Sequence, residues 1–145
     1  MSAIALAADH AGFALKAALA EDVRASGHEV LDLGPFDESS VDYPDYADLL
    51  AAALADGRAD RGVLICGSGI GIEIAANRHA HIRAANCAHA TMARLARSHN
   101  DANVLCLGAR LIGLETARDC LHAFLDTPFL GGRHSARVRK LSPET

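Results

Sequence analysis

Gly62-Val63-Leu64-Ile65-Cys66-Gly67-Ser68-Gly69-Ile70-Gly71-Ile72 joins an apolar run to a cysteine, three alternating glycines and the start of a helical pattern. The run reads as a buried strand and the glycines as a tight turn into a helix. Gly67, Gly69 and Gly71 allow backbone to approach a ligand closely. Three N–H groups are therefore expected to converge there, under the positive end of the helix that follows. A thiol beside a helix N-terminus ionises more readily than a free one, which makes Cys66 a candidate proton acceptor. The same residues also suit a plain strand-to-helix turn around a buried, inert cysteine.

Spacing removes several other readings of this loop. A Cys-x5-Arg phosphatase loop needs arginine where Ile72 stands, and no Gly-Lys-Ser/Thr tripeptide exists for a Walker loop. The dinucleotide fingerprint also fails, because Ile72 takes the place of its last glycine or alanine.

Short apolar runs and amphipathic stretches alternate on either side of the loop. Strands are predicted at Ile4–Ala8, Glu29–Leu33, Val63–Cys66, Ile82–Ala85 and Val104–Leu107. Helices are predicted at Gly12–Ser26, Asp45–Ala55, Ile70–Asn77, Ala90–Ser98 and Gly113–Leu125, with a short C-terminal helix at Ser135–Leu141. The expected fold is α/β: a single doubly wound, Rossmann-like domain over residues 1–145, with a five-stranded parallel sheet and a C-terminal helical tail.

At 145 residues the chain is long enough to bury a core without staples. Four cysteines form no Cys-x-x-Cys pair, no leader is recognisable, and the apolar runs are too short to span a bilayer. A soluble, reducing, cytoplasmic setting is expected, with no membrane partner. The net charge of −4 hides an asymmetry. Residues 1–60 carry −9 and residues 61–145 carry +5, so basic side chains gather in the part that holds the glycine loop. With no tryptophan and two tyrosines, a small anion fits this distribution better than nucleic acid.

Ligands of open parallel sheets bind beyond the carboxyl ends of the strands, where the strand order reverses. With the common order 2-1-3-4-5, Asp9-His10-Ala11-Gly12 and the Cys66 loop meet in one crevice. Asp9 also has the character of a helix N-cap. His99 and Asn100, before the fifth strand, lie at the opposite edge, and a strand spans roughly 17–20 Å. His99 either lies at a helix C-terminus, favoured by the dipole, or completes the site of a neighbouring subunit. Arg133, His134 and Arg137 face the same choice, their bland reading being a solvated basic tail. His79-Ala80-His81 and Cys87-Ala88-His89 fit no usual metal spacing, and no metal is expected.

Several motifs occur together, in order, along nearly the whole chain. They are Asp9-His10-Ala11-Gly12-Phe13, Asp42-Tyr43-Pro44-Asp45-Tyr46-Ala47, Cys66-Gly67-Ser68-Gly69-Ile70-Gly71, Ile74-Ala75-Ala76-Asn77 and Ile82-Arg83-Ala84. They continue with His99-Asn100-Asp101-Ala102-Asn103-Val104, Leu107-Gly108-Ala109-Arg110 and Gly132-Arg133-His134-x-x-Arg137-Val138. Jointly they resemble the type B ribose-5-phosphate isomerases.

The resemblance implies interconversion of ribose 5-phosphate and ribulose 5-phosphate through a cis-enediolate, a step of the pentose phosphate pathway, without metal or organic cofactor. It makes Cys66 the base that moves a proton between C2 and C1, and His99 of a second subunit the acid that opens the sugar ring. Gly67, Ser68, Gly69, Ile70 and Gly71 would hold the enediolate oxygens. Asp9, Tyr43 and Asn100 would contact the sugar, and His10, Arg110, Arg133 and Arg137 the phosphate end. A homodimer with shared sites follows, with pairing of two dimers left open. The residue types fit such chemistry, since fixed donors stabilise developing charge and guanidinium groups bind phosphate in a fork.

Some members of the family use a glutamate directly after the loop's last glycine. That place is Ile72 here, and Glu73 lies about 100° further round the helix, so Glu73 is given no role as base. Two alternatives stand beside this reading. One is an isomerase of a six-carbon sugar phosphate, allose 6-phosphate or galactose 6-phosphate, although Cys66 and His99 argue against the galactose type. The other is a binding module that has lost the chemistry. A thiol hydrolase or redox role for Cys66 lacks a neighbouring histidine or a second cysteine in a short motif.

Overall fold

The computed structural model describes residues 3–142, so residues 1–2 and 143–145 of the expected domain span lie outside the described residues. Five parallel strands, β1 (Ala3–Ala8), β2 (Glu29–Asp32), β3 (Arg61–Cys66), β4 (Ala84–Asn86) and β5 (Val104–Gly108), form one sheet. Among the described residues six α-helices accompany it: α1 (Phe13–Ala25), α2 (Tyr43–Ala55), α3 (Ile70–Asn77), α4 (Ala90–Asn100), α5 (Leu114–Asp126) and α6 (Ser135–Leu141).

Successive strand residues point to opposite faces, and both faces are apolar, so each needs a helical cover. On one face Ile4, Leu6, Ile65, Leu105 and Leu107 pack with Leu19 and Val23 of α1, Ala93 of α4, and Leu121 and Phe124 of α5. On the other, Ala5, Ala7, Leu64 and Cys66 pack with Leu50 of α2 and Ile72 of α3. This second face is lined with small residues. At Gly62 even a Cβ would lie 2.7 Å from the Leu50 side chain, so the glycine lets α2 sit close.

The strand order is β2-β1-β3-β5-β4, which corrects the expected 2-1-3-4-5. Burial explains the exchange. β5 is apolar and buried along its length, and takes the inner place beside β3. β4 is three half-buried residues, Ala84-Ala85-Asn86, and suits an edge. Its outer backbone groups are capped by α3: Ala84 exchanges two hydrogen bonds with the Asn77 amide, and Asn86 N–H donates to Glu73 Oε2 at 2.5 Å. An edge covered in this way cannot recruit another strand.

Other boundaries shift for local reasons. The turn after Asp9 is 3-10 at His10–Gly12, so α1 begins at Phe13. α2 starts at Tyr43, two residues earlier than predicted, because Pro44 is accepted in a first helical turn. α4 runs on to Asn100 and stops at Asp101, whose φ of 48° is left-handed. Ile82 precedes β4 in a turn closed by its N–H on His79 O.

Candidate active site

β1 and β3 are neighbours, and the chain leaves both at the same edge. Asp9 N–H donates to Ile65 O at 3.1 Å, which draws the first loop against the end of β3. Gly12 permits this: a Cβ there would lie 2.7 Å from Ile65 O. Asp9 is buried, and its Oδ1 accepts from Ala11 N at 3.0 Å and Gly12 N at 3.2 Å. It is thus the cap that its sequence suggests, and it also lines a cavity of about 450 Å3 together with Tyr43, Cys66, Ser68, Gly71 and Arg110.

Cys66 ends β3 with 4% of its surface exposed. Its Sγ accepts from Gly69 N at 3.2 Å. Ile70 N–H is also engaged, on Ser68 Oγ at 3.1 Å. The expectation of three glycine amides converging on a ligand therefore changes: the Gly69 amide serves the thiol. Among the described residues, the amides of Gly67, Ser68 and Gly71 donate to nothing within the chain and remain for a ligand.

The strand exchange at the far edge brings the end of β5 against this loop. Ala109 N–H donates to Cys66 O and Arg110 N–H to Gly67 O, both at 2.9 Å. Arg110 carries its side chain over Gly67, where a Cβ would stand 3.5 Å from Arg110 Cδ. No ion pair involves Arg110 among the described residues, so its charge is available to an anion. Tyr43 packs on the bare face of Gly71, where a Cβ would lie 2.5 Å from Tyr43 Cζ. His10 accepts from Val41 N at 3.2 Å and ties the loop before α2 to this end of the sheet.

His99, Asn100, Arg133 and Arg137 are not among the residues that line this cavity. His99 and Asn100 end α4, just before β5 starts, and the paired register Gly62↔Val104 to Cys66↔Gly108 puts that start about 13 Å away along the strands. The Asp101 carboxylate fixes this helix end by pairing with Arg97 at 3.0 Å and Arg83 at 3.5 Å. His134, within the turn that leads to α6, stacks on His99 with centroids 4.3 Å apart and planes 14° from parallel. Partial loss of water, then His99, Arg133 and Arg137, hold the His134 imidazolium below its ordinary range. Asn100 lines a separate cavity of about 500 Å3 beside β4.

The other three cysteines are unsuited to proton transfer at neutral pH. Burial pushes the Cys106 thiol well up, Cys87 up to about 12 and Cys120 up to about 11. The sequence reading missed the contacts of Asn86 and Glu73 with the loop, because β4 was placed inside the sheet. Glu73 and Asn77, four residues apart and so on one face of α3, are the polar pair that signals a capped strand edge.

A thiol under a backbone donor, beside an unpaired arginine and open amides at the carboxyl end of a parallel sheet, defines an α/β enzyme site for a small anionic substrate. The chain belongs to the ribose/galactose isomerase family, whose model matches residues 4–141. It is 45% identical over 142 residues to ribose-5-phosphate isomerase B of Escherichia coli, covering 98% of this chain and 95% of that one. It is 42% identical over 143 residues to D-erythrulose-4-phosphate isomerase of Pectobacterium atrosepticum, covering 97% and 93%. Among solved structures, a ribose 5-phosphate isomerase from Thermotoga maritima superposes with a TM-score of 0.94 at 51% identity, covering 98% of each chain.

Proposed function

We propose that this protein interconverts ribose 5-phosphate and ribulose 5-phosphate, in the cytoplasm and as a homodimer. The observation that carries the reading is the shared cavity of Cys66, the open loop amides and the unpaired Arg110. Membership of an isomerase family and the names of its relatives support the substrate.

Cys66, as thiolate, takes the C2 proton of the open-chain aldose. The electron pair forms the C1–C2 double bond and moves the carbonyl π pair onto O1, giving the cis-enediolate. The same thiol returns the proton to C1, while the O2 hydroxyl proton passes to O1 and C2 becomes the carbonyl. Gly67, Ser68 and Gly71 amides face the developing oxygen charge, and the Ser68 hydroxyl relays between O1 and O2. Asp9 and Tyr43 hold the sugar, and Arg110 and His10 act at the phosphate end.

His99 and Asn100 lie about a strand's length from Cys66, so a site that uses all three draws on two copies of the chain. In that dimer His99 of the second copy opens the ring, Asn100 contacts the sugar, and Arg133 and Arg137 bind phosphate. Exposed Ile70, Ile74, Leu111 and Leu141 offer apolar surface for the contact. No helix among the described residues is long and apolar enough to cross a membrane.

The test is proton NMR of the protein with ribose 5-phosphate in D2O. Ketose formation with loss of the C2 proton signal is the expected result, and binding without conversion or exchange overturns the isomerase reading. The relative that acts on D-erythrulose 4-phosphate favours a four-carbon substrate as a second reading, and six-carbon sugar phosphates belong in the same panel.

A further inference from the structure

The Ser68–Gly69 peptide unit is held from both sides. Its N–H, on Gly69, donates to Cys66 Sγ at 3.2 Å, and its C=O, on Ser68, accepts from Asn86 Nδ2 at 3.2 Å. In a planar trans peptide these groups point in opposite directions, so whatever fixes the carbonyl also aims the N–H. Gly69, at φ 78°, has access to several backbone conformations and does not fix the plane by itself.

Asn86 is itself held. Its N–H donates to Glu73 Oε2 at 2.5 Å, and Glu73 N–H donates back to Gly69 O at 3.2 Å. The hydrogen bonds thus close a ring through Ser68, Gly69, Glu73 and Asn86. Fit is tight: a Cβ on Gly69 would stand 2.5 Å from Asn86 Oδ1. Ser68 O is an acceptor only, which orients the Asn86 amide with Nδ2 toward it.

We propose that Asn86, anchored by Glu73, is a positioning residue for the isomerase reaction: it fixes the Ser68–Gly69 peptide so that the Gly69 amide stays on Cys66. It touches neither substrate nor thiol. Its effect falls on the rate of the proton-transfer step rather than on substrate affinity, because the thiolate charge and the loop donors matter most while the proton is moving. This rests on the isomerase reading above.

The experiment compares the native protein with Asn86→Ala, Glu73→Ala and Glu73→Gln. Four quantities are read: kcat and KM for ribose 5-phosphate, the rate of Cys66 alkylation by iodoacetamide at pH 7, affinity for inorganic phosphate, and the unfolding midpoint. Loss of a direct donor costs about 10²–10³ in kcat, and loss of its aim is expected to cost about tenfold. Asn86→Ala and Glu73→Ala should show that loss in kcat and a parallel fall in alkylation, with KM within about twofold. Glu73→Gln keeps an acceptor for the Asn86 amide and should recover most of the rate that Glu73→Ala loses. Unchanged kcat and alkylation in Asn86→Ala overturn the proposal, as does a kcat loss matched by lost phosphate affinity or a lowered unfolding midpoint. If the native protein does not convert ribose 5-phosphate, the functional reading fails, while alkylation still reports whether Asn86 governs Cys66.

Discussion

His134 lies flat on His99, with ring centroids 4.3 Å apart, and this stack ties the segment before α6 to the end of α4. Partial loss of water, then His99 and the positive charges of Arg133 and Arg137, disfavour the His134 imidazolium. A histidine held below its unfolded value binds fewer protons when folded. Its contribution to stability is present above pH 6.5, the ordinary value, and is lost as pH falls through the lower folded value. In an NMR titration, the His134 ring protons should have a midpoint below 6.5 that rises in Arg137→Ala. A midpoint at or above 6.5 in the native protein contradicts the arrangement.

Cys66→Ala should abolish turnover, by a factor of at least about 10²–10⁴ for loss of a positioned base. The unfolding midpoint and phosphate binding should persist, because the thiol contributes one amide contact and Arg110 is untouched. Iodoacetamide at pH 7 should modify Cys66 ahead of Cys87, Cys106 and Cys120, as peptide mass spectrometry would show. Comparable labelling of all four would remove the distinction drawn between them.

Two glycines of one loop should respond differently to alanine. At Gly71 the obstruction is the Tyr43 ring, a side chain that can swing away. Gly71→Ala is therefore expected to change stability by less than about 1 kcal/mol while raising KM severalfold. At Gly69 the obstruction includes backbone of Leu107 at 2.9 Å, and φ is positive, so Gly69→Ala should cost about 1–3 kcal/mol. Chemical denaturation beside steady-state kinetics separates the two, and equal stability losses would refute the contrast.

Lys16 is 2% exposed and its Nζ lies 2.6 Å from Asp32 Oδ1, near the rings of Phe13 and Phe36. Asp32 also accepts Gly34 N–H at 2.9 Å, so the pair links α1 to the exit of β2. Asp32→Ala strands a buried ammonium and should cost about 2–4 kcal/mol, whereas Lys16→Met replaces the stem with apolar volume and should be close to neutral. Urea unfolding of both variants is the check. A larger loss in Lys16→Met would mean that the pair itself, not the avoided burial of one charge, stabilises the fold.

Alkaline stability follows from the buried thiols. Burial raises Cys87 and Cys120 in the fold from 9.0 to about 12 and about 11, and it raises Cys106 well above 9.0 as well. Above pH 9 the unfolded chain loses these protons first, so stability is complete below 9 and falls as pH rises toward 11–12. The urea midpoint should be lower at pH 10 than at pH 8, and alanine at Cys87 and Cys120 should flatten that decline.

The alternation of strands and helices, the parallel sheet and the meeting of Asp9 with Cys66 were legible in the sequence. Each follows from local periodicity together with one topological rule. The ranges of α3 and α6 agree with the pattern because glycine before one and the basic turn before the other punctuate them clearly. The residues matched to the isomerases led directly to the family.

The order of β4 and β5 was decided by tertiary structure. Local pattern marks both segments as strands but does not weigh a fully buried five-residue strand against a half-buried three-residue one for the place beside β3. That choice sets Arg110 over Gly67 and turns Asn86 toward Ser68. The use of the Gly69 amide was decided in the same way. A sequence shows that a glycine can bring its N–H into a loop, but the direction of that N–H depends on a peptide plane fixed by Asn86, 17 residues further along the chain.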